Sequence, residues 1–148
     1  MSNISGYKSR VGKLSCNPEE IFNFVTDIRN FHRFAPSGAI VDWIAEKESC
    51  RFEVPSIGNV NFKVTEKEQF KKIIFSGNAL QNTSFSIVLN ITENSENLAE
   101  VIIDLQAELN PFLKMMAEKP IVKFLETLIN EMEKFRGWKE IKEKSQFL

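Results

Sequence analysis

The chain is poor in the residue types that usually carry chemistry. Its 148 residues include one histidine, His32, and two cysteines, Cys16 and Cys50. A zinc or iron centre needs three or four His, Cys or carboxylate ligands. None stands at ligand spacing around His32, so neither a metal nor a cofactor is expected. Two cysteines are too few for a disulfide scaffold and read as buried thiols in a reducing compartment. No glycine-rich phosphate loop is present: Gly58-Asn59 marks a turn, and Gly6, Gly12 and Gly77 stand alone. A Gly-x-Ser-x-Gly elbow and a Ser/His/Asp set are also missing. With 19 basic and 20 acidic residues, the net charge of -1 offers no footprint for nucleic acid or anionic lipid. The first ten residues lack an apolar signal core, and no apolar run nears the roughly 20 residues of a membrane span. The expected address is the cytoplasm, without membrane insertion.

Phenylalanine is what the chain has in excess, 13 residues against one Tyr and two Trp. Phe carries large apolar area and no polar handle, which points to a greasy interior. The strongest periodic signal lies in residues 120–136. Ile121, Phe124, Leu125, Leu128, Met132 and Phe135 recur at spacings of three and four, one side of a helix. Pro120 removes a backbone donor and predicts a kink or division between a lead-in from residue 111 and the main helix. Upstream the period is mostly two. Residues 4–14 read as one strand with weak alternation. Asn17-Pro18-Glu19-Glu20 forms a capping box that opens a short helix burying Ile21, Phe24, Val25 and Ile28. A second short helix is expected over residues 31–34. Strands follow at 40–46, 50–54, 60–65, 71–77, 84–92 and 101–109, the last two joined by a hairpin loop. Their alternation of apolar and polar faces predicts an antiparallel sheet covered on one side. The class is α+β. Residues 1–148 read as a single domain, with 137–148 as a tail that either extends the helix or frays and in which Trp138 and Ile141 are able to pack.

The stretches VGKLSCNPEEIFNFVTDIRNFHRFAP and LNPFLKMMAEKPIVKFLETLINEMEKF, with the strand run between them, resemble the START-like superfamily. This is the SRPBCC or helix-grip group of lipid-transfer START domains, Bet v 1-type proteins and polyketide cyclase/dehydrase-like proteins. A small bacterial branch is the most similar. The resemblance covers nearly the whole chain and rests on element order, not on a catalytic signature. It implies a long C-terminal helix lying across a curved antiparallel sheet of about seven strands. It also implies a cavity for lipid-like or polyketide-like molecules between them.

Candidate lining residues are Trp43, Phe62, Phe75, Phe85, Ile87, Leu89, Val101, Ile103, Leu105, Phe124, Leu125, Leu128 and Met132. Periodicity alone reads them equally as a closed core. No catalytic residue is assigned. Binding or carriage of a small apolar ligand is the leading reading, with a non-enzymatic protein favoured. A cyclase or dehydratase is the first alternative and would need His32, Asp42 or Glu66 to point inward. A cochaperone-like interaction module is the second, and would need an exposed apolar patch. Asp27, Arg29 and Asn30 read as helix termination with a local ion pair, or as a polar rim to the cavity. Asp104 and Glu108 read as a solvated sheet face. Met115 and Met116 suit a pliable gate or, more simply, ordinary packing.

Overall fold

A computed structural model describes residues 4–35, 38–55, 57–80, 82–94 and 98–138. In chain order the elements are β1 (Ile4–Lys8), β2 (Gly12–Leu14), α1 (Pro18–Val25), a 3-10 segment (Ile28–Phe34) and β3 (Val41–Ala45). Then come β4 (Ser49–Val54), β5 (Gly58–Glu68), β6 (Lys72–Ala79), β7 (Thr83–Glu93), β8 (Ala99–Glu108) and α2 (Pro111–Lys134). The strands form one antiparallel sheet in the order β1-β8-β7-β6-β5-β4-β3, and β2 also pairs with β8. Helix α2 crosses it, backed mainly by β2, β1 and the 3-10 segment. This is the α+β arrangement that the alternating strands and the amphipathic stretch predict.

The single strand expected over residues 4–14 is two strands on one partner. Between them Ser9 keeps the ladder satisfied. Its N–H donates to the Ile103 carbonyl at 2.8 Å, and its hydroxyl accepts from the Ile103 N–H at 2.9 Å. The break turns Arg10 out towards α2. Its guanidinium donates to both oxygens of Glu133, at 2.8 and 3.0 Å, and the Lys13 N–H adds a bond of 2.9 Å. Gly12 lies close beneath the helix: a Cβ there would sit 3.1 Å from both Ile129 Cγ2 and Val101 Cγ2.

The Arg10 hydrogen bonds, followed by the Lys13 N–H, hold the Glu133 carboxyl down at about 2. A folded-state value below the ordinary 4.5 means that the contact stabilises the fold above that pH and is lost as the pH falls through 2. Both side chains are partly solvated, so its worth is about 1 kcal/mol at most. Glu133→Gln is therefore expected to flatten the acid limb of stability against pH. Urea midpoints at pH 7 and pH 3 check this; identical losses in the two proteins would remove the linkage.

The helix starts follow the sequence signals. Asn17 Oδ1 accepts from the Glu20 N–H at 2.9 Å, and Glu20 Oε1 accepts from the Asn17 N–H at 3.1 Å, completing the capping box. Asn110 Oδ1 accepts from the Leu113 N–H at 2.8 Å and opens α2. Pro120 does not divide the helix, contrary to expectation: α2 runs unbroken from Pro111 to Lys134. Pro120 and Met116 are both exposed, so the Met116 carbonyl left without a donor lies where water can satisfy it. The helix then stops before Gly137, at Phe135, whose N–H still donates to the Glu131 carbonyl. Trp138 is buried, packed 4.9 Å from Phe135 and 5.2 Å from Phe24 between ring centroids. The rest of the expected tail, 139–148, lies outside the described residues.

Candidate functional site

An apolar void of about 60 Å³ lies between the sheet, α2 and the 3-10 segment. Its first wall is a row of four side chains, Val25, Ile28, Phe31 and Phe34. Ile28, Phe31 and Phe34 are spaced by three within the 3-10 segment, and a helix with three residues per turn stacks such positions on one face; Val25 joins them from the end of α1. The apolar face of the sheet supplies Phe62 from β5, Phe75 from β6, Ile87 and Leu89 from β7, and Ile103 from β8. Leu128 and Met132 close it from α2. Seven of the candidate residues are thus brought together at the void.

The other six stand elsewhere. Val101, Leu105 and Leu125 are buried but belong to solid core, Val101 reaching towards β2 and Ile129. Trp43, Phe85 and Phe124 are half-buried at the periphery. Phe31 links two of these to the interior. Its ring lies 5.8 Å from Trp43, 5.9 Å from Phe52, 5.3 Å from Phe62 and 6.3 Å from Phe124. It is half-buried, and so separates the void from the surface on that side. None of the row from Val25 to Phe34 is among the candidate lining residues, although Val25 and Ile28 are expected to be buried from sequence. The row's signal was the apolar period of three at residues 25, 28, 31 and 34, outside both the helical and strand templates.

Asn30 is the one polar side chain in the wall. Its Nδ2 donates to the Phe24 carbonyl at 2.8 Å, and no described residue donates to its carboxamide oxygen. Its neighbours in the polar cluster serve the backbone instead. Asp27 caps the 3-10 segment and pairs with Arg29 at 2.6 Å, and the Arg29 hydrogen bond lowers its carboxyl below the usual range. His32 is exposed, with Nδ1 2.7 Å from the Arg29 carbonyl oxygen; Asp42 and Glu66 are exposed as well. Cys16 and Cys50 are buried and not joined in a disulfide, and burial pushes the Cys50 thiol up to about 12, far from thiolate chemistry. Among the described residues no group of three His, Cys, Asp or Glu is placed to hold a metal.

A larger hollow of about 740 Å³ lies on the opposite, outer face of the sheet. It is an open trough floored by Ser49, Arg51, Asn61, Lys63, Ser76 and Ser86 among others. Hydroxyl, amide and charged groups there are interspersed with Ile4, Ile44 and Phe85 and open to solvent, whereas the inner void is walled almost wholly by apolar side chains. The inner void is the better candidate.

The fold has known counterparts. Norcoclaurine synthase from Thalictrum flavum superposes with a TM-score of 0.69 over 90% of this chain and 93% of that one, at 8% identity. A protein of Rhizobium loti gives 0.60 over 86% and 96%, at 13% identity. A protein of Mesorhizobium loti gives 0.59 over 90% and 98%, at 12% identity. The chain has the Bet v 1/START-like helix-grip fold. No protein-family model and no curated protein matches it at the level of sequence. At these identities the likeness is one of fold, and the position of the void between sheet and helix is read from this chain's own residues. No helix among the described residues is long and apolar enough to cross a membrane.

Proposed function

We propose that this protein binds a small apolar ligand in the void beneath Phe31, with Asn30 orienting the ligand's polar end. The wall carries the reading: eleven apolar side chains and a single carboxamide. Apolar voids of this kind stay dry, so a ligand entering one gives up no bound water. Affinity then comes from buried apolar area, at about 25 cal/mol per Å². The free carboxamide oxygen accepts one hydrogen bond, which favours a ligand with a hydroxyl or N–H donor on an apolar body. At about 60 Å³ the void takes a small apolar group as it stands. A longer molecule enters only when Phe31 swings out and α2 lifts. Backbone support for α2 comes chiefly from β1, β2 and the 3-10 segment. Towards β5–β7 only side chains fill the gap, and Met132 among them is flexible.

A cyclase or dehydratase at this place would need a positioned acid or base. The twelve lining side chains include none, which weighs for binding over catalysis here. Native mass spectrometry of the gently purified protein, followed by denaturing extraction, is the test. A reproducible co-purifying apolar molecule is expected. Leu128→Trp fills the void and should weaken uptake of an apolar fluorescent probe such as N-phenyl-1-naphthylamine at least tenfold, about 1.4 kcal/mol. Phe31→Ala should strengthen it. Equal uptake by wild type and Leu128→Trp would place the ligand elsewhere.

A further inference from the structure

The large side chains left in water are concentrated at the start of α2. Phe112 is 68% exposed, Met115 84%, Met116 52% and Val122 50%. Ordinary packing, the simpler expectation for the two methionines, is therefore not what they do. At about 100° per residue, all four fall within an arc of about 120° on the helix. Lys119 and Lys123 fall on the same arc and are also exposed. The inward face of these turns is separately occupied, with Ala117 buried and Leu113 half-buried. The exposed stripe is a second apolar face, not the core face turned outward.

Charge identifies what the stripe suits. Residues 111–123 carry one glutamate and three lysines, of which Lys119 and Lys123 lie on the arc and Lys114 does not, in a chain whose totals nearly cancel. That glutamate, Glu118, lies off the arc beside Tyr7, whose phenol is raised by burial and then by the Glu118 charge. The next acid on the arc, Glu126, interacts with Arg10. We propose that this face of α2 docks on an anionic lipid surface. Phe112, Met115 and Met116 enter the headgroup–acyl boundary, and Lys119 and Lys123 meet the phosphates. Exposed apolar residues followed along the helix by lysines suit an interfacial helix, and the anionic leaflet attracts such local clusters whatever the overall charge. The overall balance of charge hides this local excess. A second copy of the chain suits the stripe less well. A two-fold contact would oppose lysine to lysine, and so few side chains fall short of the roughly 800 Å² per partner of a stable interface. The proposal stands on the helix surface alone and does not require the inner void to hold a ligand.

The test is flotation of the full chain with vesicles of phosphatidylcholine containing about 30 mol% phosphatidylglycerol, against phosphatidylcholine alone. Binding to the anionic vesicles is expected to be at least tenfold tighter and to weaken with added salt. The pairs Phe112→Ser/Met115→Ser and Lys119→Glu/Lys123→Glu should each lower it at least tenfold. Because all four positions are exposed, circular dichroism should show both variants folded. Wild type that stays off anionic vesicles, or double variants that bind as wild type does, would overturn the proposal. So would sedimentation showing a dimer that Met115→Ser dissociates, which would assign the stripe to a second copy.

Discussion

Gly77→Ala is expected to destabilise the protein by about 3 kcal/mol or more. Gly77 sits in β6 opposite Phe62 of β5. A Cβ at this position would fall 1.8 Å from the Asn61 carbonyl oxygen and 2.7 Å from both Cα and Cβ of Phe62. Two of those three atoms are backbone, so no side-chain rotation relieves the clash. The β5–β6 pairing must open around a residue whose ring lines the void. The matched control is Gly6→Ala in β1, where an added Cβ meets nothing within 4 Å. That change should cost little or slightly stabilise, since alanine loses less backbone entropy on folding. Urea unfolding of the two variants side by side separates close approach from glycine's general flexibility. Equal midpoints would mean that the strands at Gly77 are not in close approach.

Phe24→Ala should cost about 3–5 kcal/mol. Phe24 is 1% exposed and belongs to both ends of the chain at once. Its ring centroid lies 5.8 Å from Phe34, 4.9 Å from Phe135 and 5.2 Å from Trp138. The Arg33 guanidinium stands 6.0 Å from its ring and 5.8 Å from that of Phe135. Removing the ring leaves a cavity and takes away the surface on which Trp138 rests. Trp138 has its indole N–H buried without a partner among the described residues, so packing alone holds it there. Two readings are expected from Phe24→Ala: a melting temperature lower by about 10 °C and a red-shifted tryptophan emission. Phe24→Leu keeps most of the volume and should lose only about 1 kcal/mol. A blue, unshifted emission in Phe24→Ala would show that Trp138 is held by something else.

Local signals account for much of the fold. The Asn17–Glu20 box forms as a reciprocal pair of hydrogen bonds because its four residues need only each other. Alternation over β7 and β8 places Ile87, Leu89, Val101 and Ile103 on the buried face for the same reason: a strand's period is a property of its own backbone. The stripe Leu125, Leu128 and Met132 is buried as its spacing requires. The candidate site was legible only in part. Its sheet and helix walls follow from these periods. The 3-10 wall carries a period of three that neither template detects, and Asn30 reads equally well as a helix terminator until its place in the wall is known.

Three outcomes were decided by tertiary structure alone, each for a stated physical reason. Pro120 leaves α2 unbroken because the unpaired Met116 carbonyl falls on the solvent side, and which side that is depends on where the sheet lies. Apolar residues of equal periodicity divide into solid core around Val101 and a void around Phe31, because void volume is what remains after side chains from seven elements meet. Met115 and Met116 stay in water because Ala117 and Leu113 already fill the inward face of their turns. The sequence by itself determined which residues are apolar, where helices begin and how strands alternate, since those depend on neighbours in the chain. What the apolar residues enclose, and which of them remain exposed, depends on neighbours in space, and only the assembled sheet and helix supply those.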